Sequence, residues 1–369
     1  MRAPSAVFLV QLVQDVNVLR PLIFMAARDF GFATRLLVAK KFLARDPVGI
    51  WRSELDEIAR EAGASVAYFD NDWDAHCELQ GGGLLFSASE SNLPNHAISH
   101  AVFEHAPASY LRVTLQHGFE CVGFRHSADH VRAHGETASF AADVLCVWAS
   151  PERLPSLAAS QSPKAFVTGP SLVLQQQPSS LEGKRGRLGL VCENLHSVRF
   201  AGAEKAKFDF VDMFSEFSRL MALEGHSIRL RPHPGGQYFL KNRTALPDNV
   251  AVENAPTYRL NLPLYAYGIS APSSVLIEML LAGIPTAVWR DPAGLIDADA
   301  YAGLTMVSSV GEWTEFARAA VAEPESFLRC QSRFLEHTGM PLDPKDVYGR
   351  FAQLFETAKR MADNDIRSA

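Results

Sequence analysis

Tyr267 to Trp289 reads YGISAPSSVLIEMLLAGIPTAVW, and the reading of the fold turns on it. Tyr267–Ser270 is a short apolar run that reads as a buried strand, Ser273 and Ser274 sit where a helix begins, Val275–Ala282 carries a helical pattern, and Thr286–Trp289 is a second apolar strand. A strand, a helix and another strand in so short a span form one unit of a parallel sheet covered on both faces.

The same alternation extends in both directions. Leu188–Cys192, Ser227–Leu230 and Val250–Val252 read as further strands and Phe208–Leu223 as a long amphipathic helix. Before them, Ala6–Gln11, Ala33–Ala39, Ser65–Phe69, Gly83–Ser87, Leu111–Leu115, Val144–Trp148 and Ala165–Thr168 read as strands, with helices expected over Val18–Phe30 and Trp51–Ala62. Gln175–Arg187 (QQQPSSLEGKRGR) breaks the series: it is polar, contains Pro178, Gly183 and Gly186, and has no apolar period, which marks a linker. The expected organisation is a first domain over 1–174, a linker over 175–187, a second domain over 188–342, and a tail over 343–369 whose helical stretch, Lys345–Ala362, crosses back to brace the first domain. A chain of 369 residues, at about 150 residues per domain, agrees with two domains. Two doubly wound domains in sequence place a ligand site in the crevice outside the carboxyl ends of their strands.

Composition narrows the function. Apolar residues at 47% and charged residues at 21% are ordinary for a globular chain. A formal net charge of −6 does not suit wrapping a nucleic-acid backbone, although a local basic cleft for a phosphorylated small molecule remains compatible with it. No run of about 18 apolar residues occurs, because Gln11, Gln14, Asp15, Asn17 and Arg20 interrupt the apolar N-terminus, so no membrane span is expected. Cys77, Cys121, Cys146, Cys192 and Cys330 are scattered without a CxxC pair, which fits reduced thiols in a cytoplasmic protein rather than a disulfide framework or zinc site.

Two segments of the second domain carry chemistry. In HSIRLRPHPGG, His226–Gly236, the strand residues Arg229 and Arg231 share one face and His233 follows at the same parity, so three potential cations converge where an α/β sheet binds phosphates. Pro232 and Pro234 restrict the backbone beside His233, and Gly235 and Gly236 allow a ligand close approach. The plain alternative is a pair of structural ion pairs with a turn-capping histidine. In the second segment Ser273 and Ser274 open a helix and Glu278 lies one turn deeper on the same face as Ser274. Hydroxyls, free N–H groups and a helix N-terminus suit a phosphate, and the glutamate suits ribose hydroxyls. An N-cap followed by a solvated glutamate is the alternative.

RxHP, then SS, then a glutamate-bearing helix and an AGIP turn resemble the nucleotide-binding half of GT-B transferases that use CMP- or CDP-activated donors, among them bacterial sialyl- and Kdo-transferases, capsule polysaccharide enzymes and CDP-glycerol polymerases. The resemblance implies an α/β GT-B fold, two Rossmann-like doubly wound domains facing a central cleft, with Arg231, His233, Ser273, Ser274 and Glu278 holding the donor nucleotide. It covers the second domain well and the first in architecture.

The first domain adds LRVTLQHGFE, Leu111–Glu120, a strand that delivers Gln116, His117 and Glu120 at its end, and FSASESN, Phe86–Asn92, which delivers Ser89, Glu90 and Asn92. An imidazole and a carboxylate there suit general acid or base work on an acceptor hydroxyl, with Gln116, Ser89 and Glu90 contacting the acceptor. QHG is similar to the HG motif in the acceptor domain of capsule and glycerol-phosphate transferases. The alternative is a turn-capping His117 and a solvated Glu120. In VCENLHSVR, Val191–Arg199, Glu193 follows the first strand of the second domain. The resemblance to retaining β-Kdo transferases implies Glu193 as nucleophile and Glu120 as acid or base, although this chain has Glu where Asp is expected; a direct displacement with His117 or Glu120 as base stays open.

No metal is expected. Asp70-Asn71-Asp72-Trp73-Asp74 contains a lone DxD match, and His96, His100 and His105 fit an amphipathic helix better than a ligand set. The function expected is glycosyl transfer without a cofactor, from a CMP-activated donor of Kdo or a related acidic sugar to a cell-surface saccharide or lipid-linked saccharide, in the cytoplasm, with peripheral association at the inner membrane face left open. The rivals are a CDP-glycerol-type phosphotransferase and a non-catalytic nucleotide-sugar-binding subunit of a capsule assembly complex.

Overall fold

The computed structural model describes residues 4–46, 49–175, 186–195 and 203–368. Within the expected linker, 176–185 lie outside the described residues, as do 196–199 of the stretch after Val191.

Seven strands, β1 (Ser5–Val10), β2 (Ala33–Ala39), β3 (Ser65–Phe69), β4 (Gly83–Ser87), β5 (Tyr110–Leu115), β6 (Val144–Val147) and β7 (Ala165–Val167), form one parallel sheet in the order β3-β2-β1-β4-β5-β6-β7. A second parallel sheet contains β8 (Leu188–Cys192), β9 (Ser227–Arg231), β10 (Val250–Val252), β11 (Tyr267–Ser270), β12 (Thr286–Trp289) and β13 (Thr305–Val307) in the order β10-β9-β8-β11-β12-β13. Both orders reverse beside the first strand of the sheet, between β1 and β4 and between β8 and β11, which makes each a doubly wound sheet with its own switch point. The central strand β1 is apolar along its length because helices cover both faces: Ala6, Val7, Phe8, Leu9 and Val10 are all buried.

The first helix differs from expectation. It spans Val13–Phe24 and passes into a π-helical turn over Met25–Asp29, instead of running Val18–Phe30. Its start carries no usual capping residue; Asp15, one turn in, folds back and accepts the N–H groups of Gln11 and Leu12, each at 2.8 Å. Two helices toward the end, Val310–Ala322 and Pro324–Thr338, and the short strand β13 complete the second sheet's surroundings.

The last helix, Pro344–Ser368, belongs to the core of the first sheet. Val347, Phe351, Leu354, Phe355 and Ala358 recur at helical spacing and are buried there, with the Phe355 ring 4.9 Å from Phe30, 5.6 Å from Phe32 and 5.7 Å from Phe86. A separate apolar cluster joins the two halves: Phe119, Trp148 and Ala149 pack with Tyr301, Phe334 and Leu276. Phe119 lies 5.5 Å from Tyr301 and 5.9 Å from Phe334. No described helix is long and apolar enough to cross a membrane.

Because Phe355 fills a three-ring pocket far along the chain from its neighbours, truncation leaves a cavity that the sheet cannot close. Phe355→Ala is expected to lower stability by about 3–5 kcal/mol, measured by urea unfolding; a loss below about 1 kcal/mol would show that the tail helix is dispensable to the first core.

Candidate active site

The carboxyl ends of both sheets face one cleft of about 1040 Å³, lined by residues of both halves. Each switch point is tied by a side chain. In the first sheet the buried Asp15 accepts the Ala88 N–H at 3.1 Å as well as its own helix-start N–H groups, bridging the ends of β1 and β4. In the second, Asn194 donates from Nδ2 to the Pro272 carbonyl, bridging the ends of β8 and β11.

On the second-domain side, Arg231 stands at the cleft end of β9 and is only 6% exposed. Its Nη2 donates to Thr257 Oγ1 at 2.8 Å, while its Nε has no hydrogen-bond partner among the described residues. Glu278 lines the cleft beside it; burial raises its pKa, opposed by the Arg231 charge and the Thr257 hydroxyl. A buried guanidinium with a donor left over, next to a carboxylate that is not tightly paired with it, is a site prepared for an anion.

His233 also lines the cleft, and its Nδ1 accepts the Gly235 N–H at 3.1 Å, so it shapes its own turn. Arg229 is not among the lining residues. Both serines line the cleft, but with different duties: Ser274 Oγ accepts the Phe119 N–H of the first domain at 2.9 Å, and Ser273 Oγ makes a long contact of 3.4 Å with the Val275 N–H. The approach of the two domains here needs glycine, since a Cβ on Gly118 would come within 2.5 Å of Ser274 Oγ.

On the first-domain side the cleft presents His117 and Glu120. His117 Nδ1 donates to the Ala88 carbonyl at 2.7 Å, and the Cys121 Sγ lies 3.6 and 3.7 Å from its ring nitrogens. Burial works against its charge, yet Cys121, the Ala88 carbonyl and Asp15 outweigh it and raise the pKa to about 9. Glu120 is pushed up to about 8 by burial, then by Asp297 and Asp129, with Arg125 opposing, and its Oε1 has no hydrogen-bond partner among the described residues. Near neutral pH both groups therefore carry protons and can donate them.

Four expected site residues lie elsewhere. Glu193 is buried, is not part of the cleft lining, and accepts the Tyr238 N–H at 2.8 Å and the Phe239 N–H at 3.0 Å. Its carboxylate caps the short helix after the RPHPGG loop, so it organises that loop and is not placed as a nucleophile. Burial raises its pKa to about 7 against these backbone donors. Glu90, expected at the acceptor, is buried and not part of the cleft lining, held by the Thr114 hydroxyl at 2.7 Å, His100 Nδ1 at 2.6 Å and the Ala141 N–H at 3.0 Å. Gln116 accepts the Trp148 N–H at 2.9 Å and donates to the Gly118 carbonyl at 2.9 Å, a buried brace of the loop that carries His117. Ser89 is wholly buried and also absent from the lining.

Residues the motifs did not single out take part. Thr257 holds Arg231, and Asp297 lines the cleft while accepting the Ala128 N–H of the first domain at 2.6 Å. Neither lies in a regular pattern of the sequence. The described residues contain no group of three or more His, Cys, Asp or Glu side chains arranged to hold a metal. Asn71 and Asp74 of the DxD stretch instead cap a short helix, with Asn71 Oδ1 accepting the Asp74 N–H at 2.9 Å.

The sequence matches no established family profile and no curated relative. Solved structures share its architecture. A UDP-GlcNAc 2-epimerase from Neisseria meningitidis bound to UDP-GlcNAc superposes with a TM-score of 0.60 at 13% identity, over 97% of this chain and 99% of that one. A UDP-GlcNAc 2-epimerase from Methanocaldococcus jannaschii, in complex with UDP-GlcNAc and UDP, gives 0.56 at 11% identity over 90% and 99%. The calicheamicin glycosyltransferase CalG4 gives 0.51 at 13% identity over 98% and 98%. At these identities the likeness establishes the fold: two Rossmann-like domains in the GT-B arrangement.

The raised Glu120 pKa carries a stability consequence. Between its ordinary 4.5 and about 8, the unfolded chain has released a proton that the folded chain keeps, so this group's contribution falls as pH rises through that window. Glu120→Gln is expected to gain stability relative to the parent protein progressively across it, as measured by chemical denaturation at a series of pH values; parallel curves would place Glu120 in a water-like setting.

Proposed function

We propose that this protein transfers a sugar from a nucleotide-activated donor to an acceptor hydroxyl, without a metal. The observation that carries the reading is Arg231, a buried guanidinium with an unpartnered Nε at the cleft end of a parallel sheet, set across one cleft from a protonated Glu120. The donor phosphates would take the Arg231 donors and the Ser273 hydroxyl, with His233 beside them, and Glu278 would accept from the ribose. Charge that develops on the leaving phosphate is then met by groups already oriented for it. Glu120, with a pKa close to neutral, is suited to exchange a proton with the acceptor side of the reaction.

The finer reading is a cytidine nucleotide carrying an acidic sugar such as Kdo, destined for a cell-surface polysaccharide. The RPHP and SS residues support the cytidine donor through their resemblance to CMP- and CDP-using enzymes. A positively charged His117 supports an acidic sugar, since it offers a cation to a carboxylate on the side away from Arg231. Two of the fold neighbours hold UDP-GlcNAc, which makes a uridine nucleotide the direct competitor and 2-epimerisation of a nucleotide sugar the second reading. An epimerase converts its nucleotide sugar with no acceptor present; a transferase releases the nucleotide only as the sugar is moved.

A melting-temperature panel of CMP, CDP, UDP and GDP tests the donor, because a ligand that binds the folded state alone raises the transition. CMP is expected to give the largest rise, and Arg231→Gln to abolish it. Once a turnover assay exists, Glu120→Gln is expected to lower kcat roughly 100- to 10,000-fold while leaving nucleotide affinity in place. No rise with any of the four nucleotides contradicts the reading.

A further inference from the structure

A further contact between the domains is built on one turn. Thr257–Arg259 is a single 3-10 turn, closed by the Arg259 N–H to the Pro256 carbonyl at 2.9 Å and the Leu260 N–H to the Thr257 carbonyl at 3.0 Å. Its first residue points into the donor side of the cleft, where Thr257 Oγ1 accepts from Arg231. Its next two residues reach the other domain. Tyr258 Oη donates to Glu54 Oε2 at 2.9 Å, and Arg259 meets Glu54 through Nε and Nη2 at 3.0–3.1 Å and Glu57 through Nη2 at 2.8 Å.

The receiving side is equally ordered. Glu54 and Glu57 lie three apart on the helix Ile50–Ala62 and so present their carboxylates on one face. The Arg20 guanidinium stacks 4.6 Å from the centre of the Tyr258 ring and donates to Gln175 Oε1 at 3.0 Å, at the start of the segment that joins the domains. Isolated surface ion pairs contribute little, but here a forked guanidinium meets two carboxylates, and the Glu54 side chain is only 13% exposed.

We infer that Arg259 is a positioning residue: gripped by Glu54 and Glu57, the Thr257–Arg259 turn clasps the two domains and, through the Thr257 hydroxyl, sets Arg231 for the donor phosphate. The inference rests on Arg231 as a donor ligand. Closure and donor affinity are thereby coupled, since the turn cannot leave the helix Ile50–Ala62 without moving the acceptor that orients the guanidinium. By reciprocity, a nucleotide that binds Arg231 favours the closed arrangement.

Small-angle X-ray scattering of the full chain reads closure, and calorimetric titration with CMP and with UDP reads affinity. Circular dichroism confirms folding of each variant. Arg259→Ala and the double variant Glu54→Gln, Glu57→Gln are each expected to increase the radius of gyration and to weaken nucleotide binding about tenfold, with Arg259→Lys in between because it keeps the charge and loses the fork. Raising the salt concentration on the parent protein is expected to move the radius the same way. An unchanged radius in both variants overturns the clasp. A larger radius with unchanged affinity overturns the coupling, since a merely structural contact would behave so. Failure of the parent protein to bind either nucleotide overturns the donor-site reading and the coupling with it, while the radius still decides the clasp.

Discussion

A guanidinium carried into a protein interior at the end of a strand needs anions or acceptors for its donors, and Arg231 is supplied with fewer than it can use. Thr257 takes one donor, Glu278 supplies a field rather than a close ion pair, and Nε is left over. Leaving a buried charge incompletely satisfied is unfavourable. It persists here because the surrounding elements fix it: β9 carries the residue, the Thr257–Arg259 turn meets it from one side, and the loop capped by Glu193 closes the next. The rest of the site is arranged around this unsatisfied cation.

The two domains contribute opposite kinds of chemistry. The second offers positive charge at the end of β9 and hydroxyls just beyond β11. The first offers proton donors, His117 and Glu120, both held protonated near neutral pH, His117 because local partners raise its pKa and Glu120 because burial and neighbouring carboxylates raise its own. Such a division needs a fixed gap. Contacts that set it include the Ser274 to Phe119 hydrogen bond where Gly118 permits close approach, the Ala128 to Asp297 hydrogen bond, the apolar cluster around Phe119, and the carboxylate-arginine network of Glu54, Glu57 and Arg259.

The doubly wound sheets were legible because strands flanked by helices are largely apolar, most fully at the sheet centre, and β2, β3, β4, β8, β10, β11 and β12 begin and end where the sequence reading puts them. Elements with a different physical cause were harder to read. The first helix starts early because Asp15 caps it from inside, and β13 has only three residues and no run to detect. Site residues divide in the same way. Arg231, Ser273, His117 and Glu120 could be located because strand parity and strand ends place them in the cleft. Glu193, Glu90, Gln116 and Ser89 occupy equivalent-looking positions, but whether a carboxylate at a strand end faces a ligand or captures backbone N–H groups depends on distant partners such as Tyr238, Phe239 and Ala141. Thr257 and Asp297 act from irregular segments, where local pattern carries no signal.

The most direct measurement of the central claim is a crystal structure of the full chain with CMP or UDP bound. The account predicts a phosphate oxygen within hydrogen-bond distance of Arg231 Nε, with the ribose toward Glu278 and the sugar-bearing side of the phosphate facing Glu120. A nucleotide found elsewhere, or Arg231 turned onto Glu278 with the cleft closed over it, would contradict it.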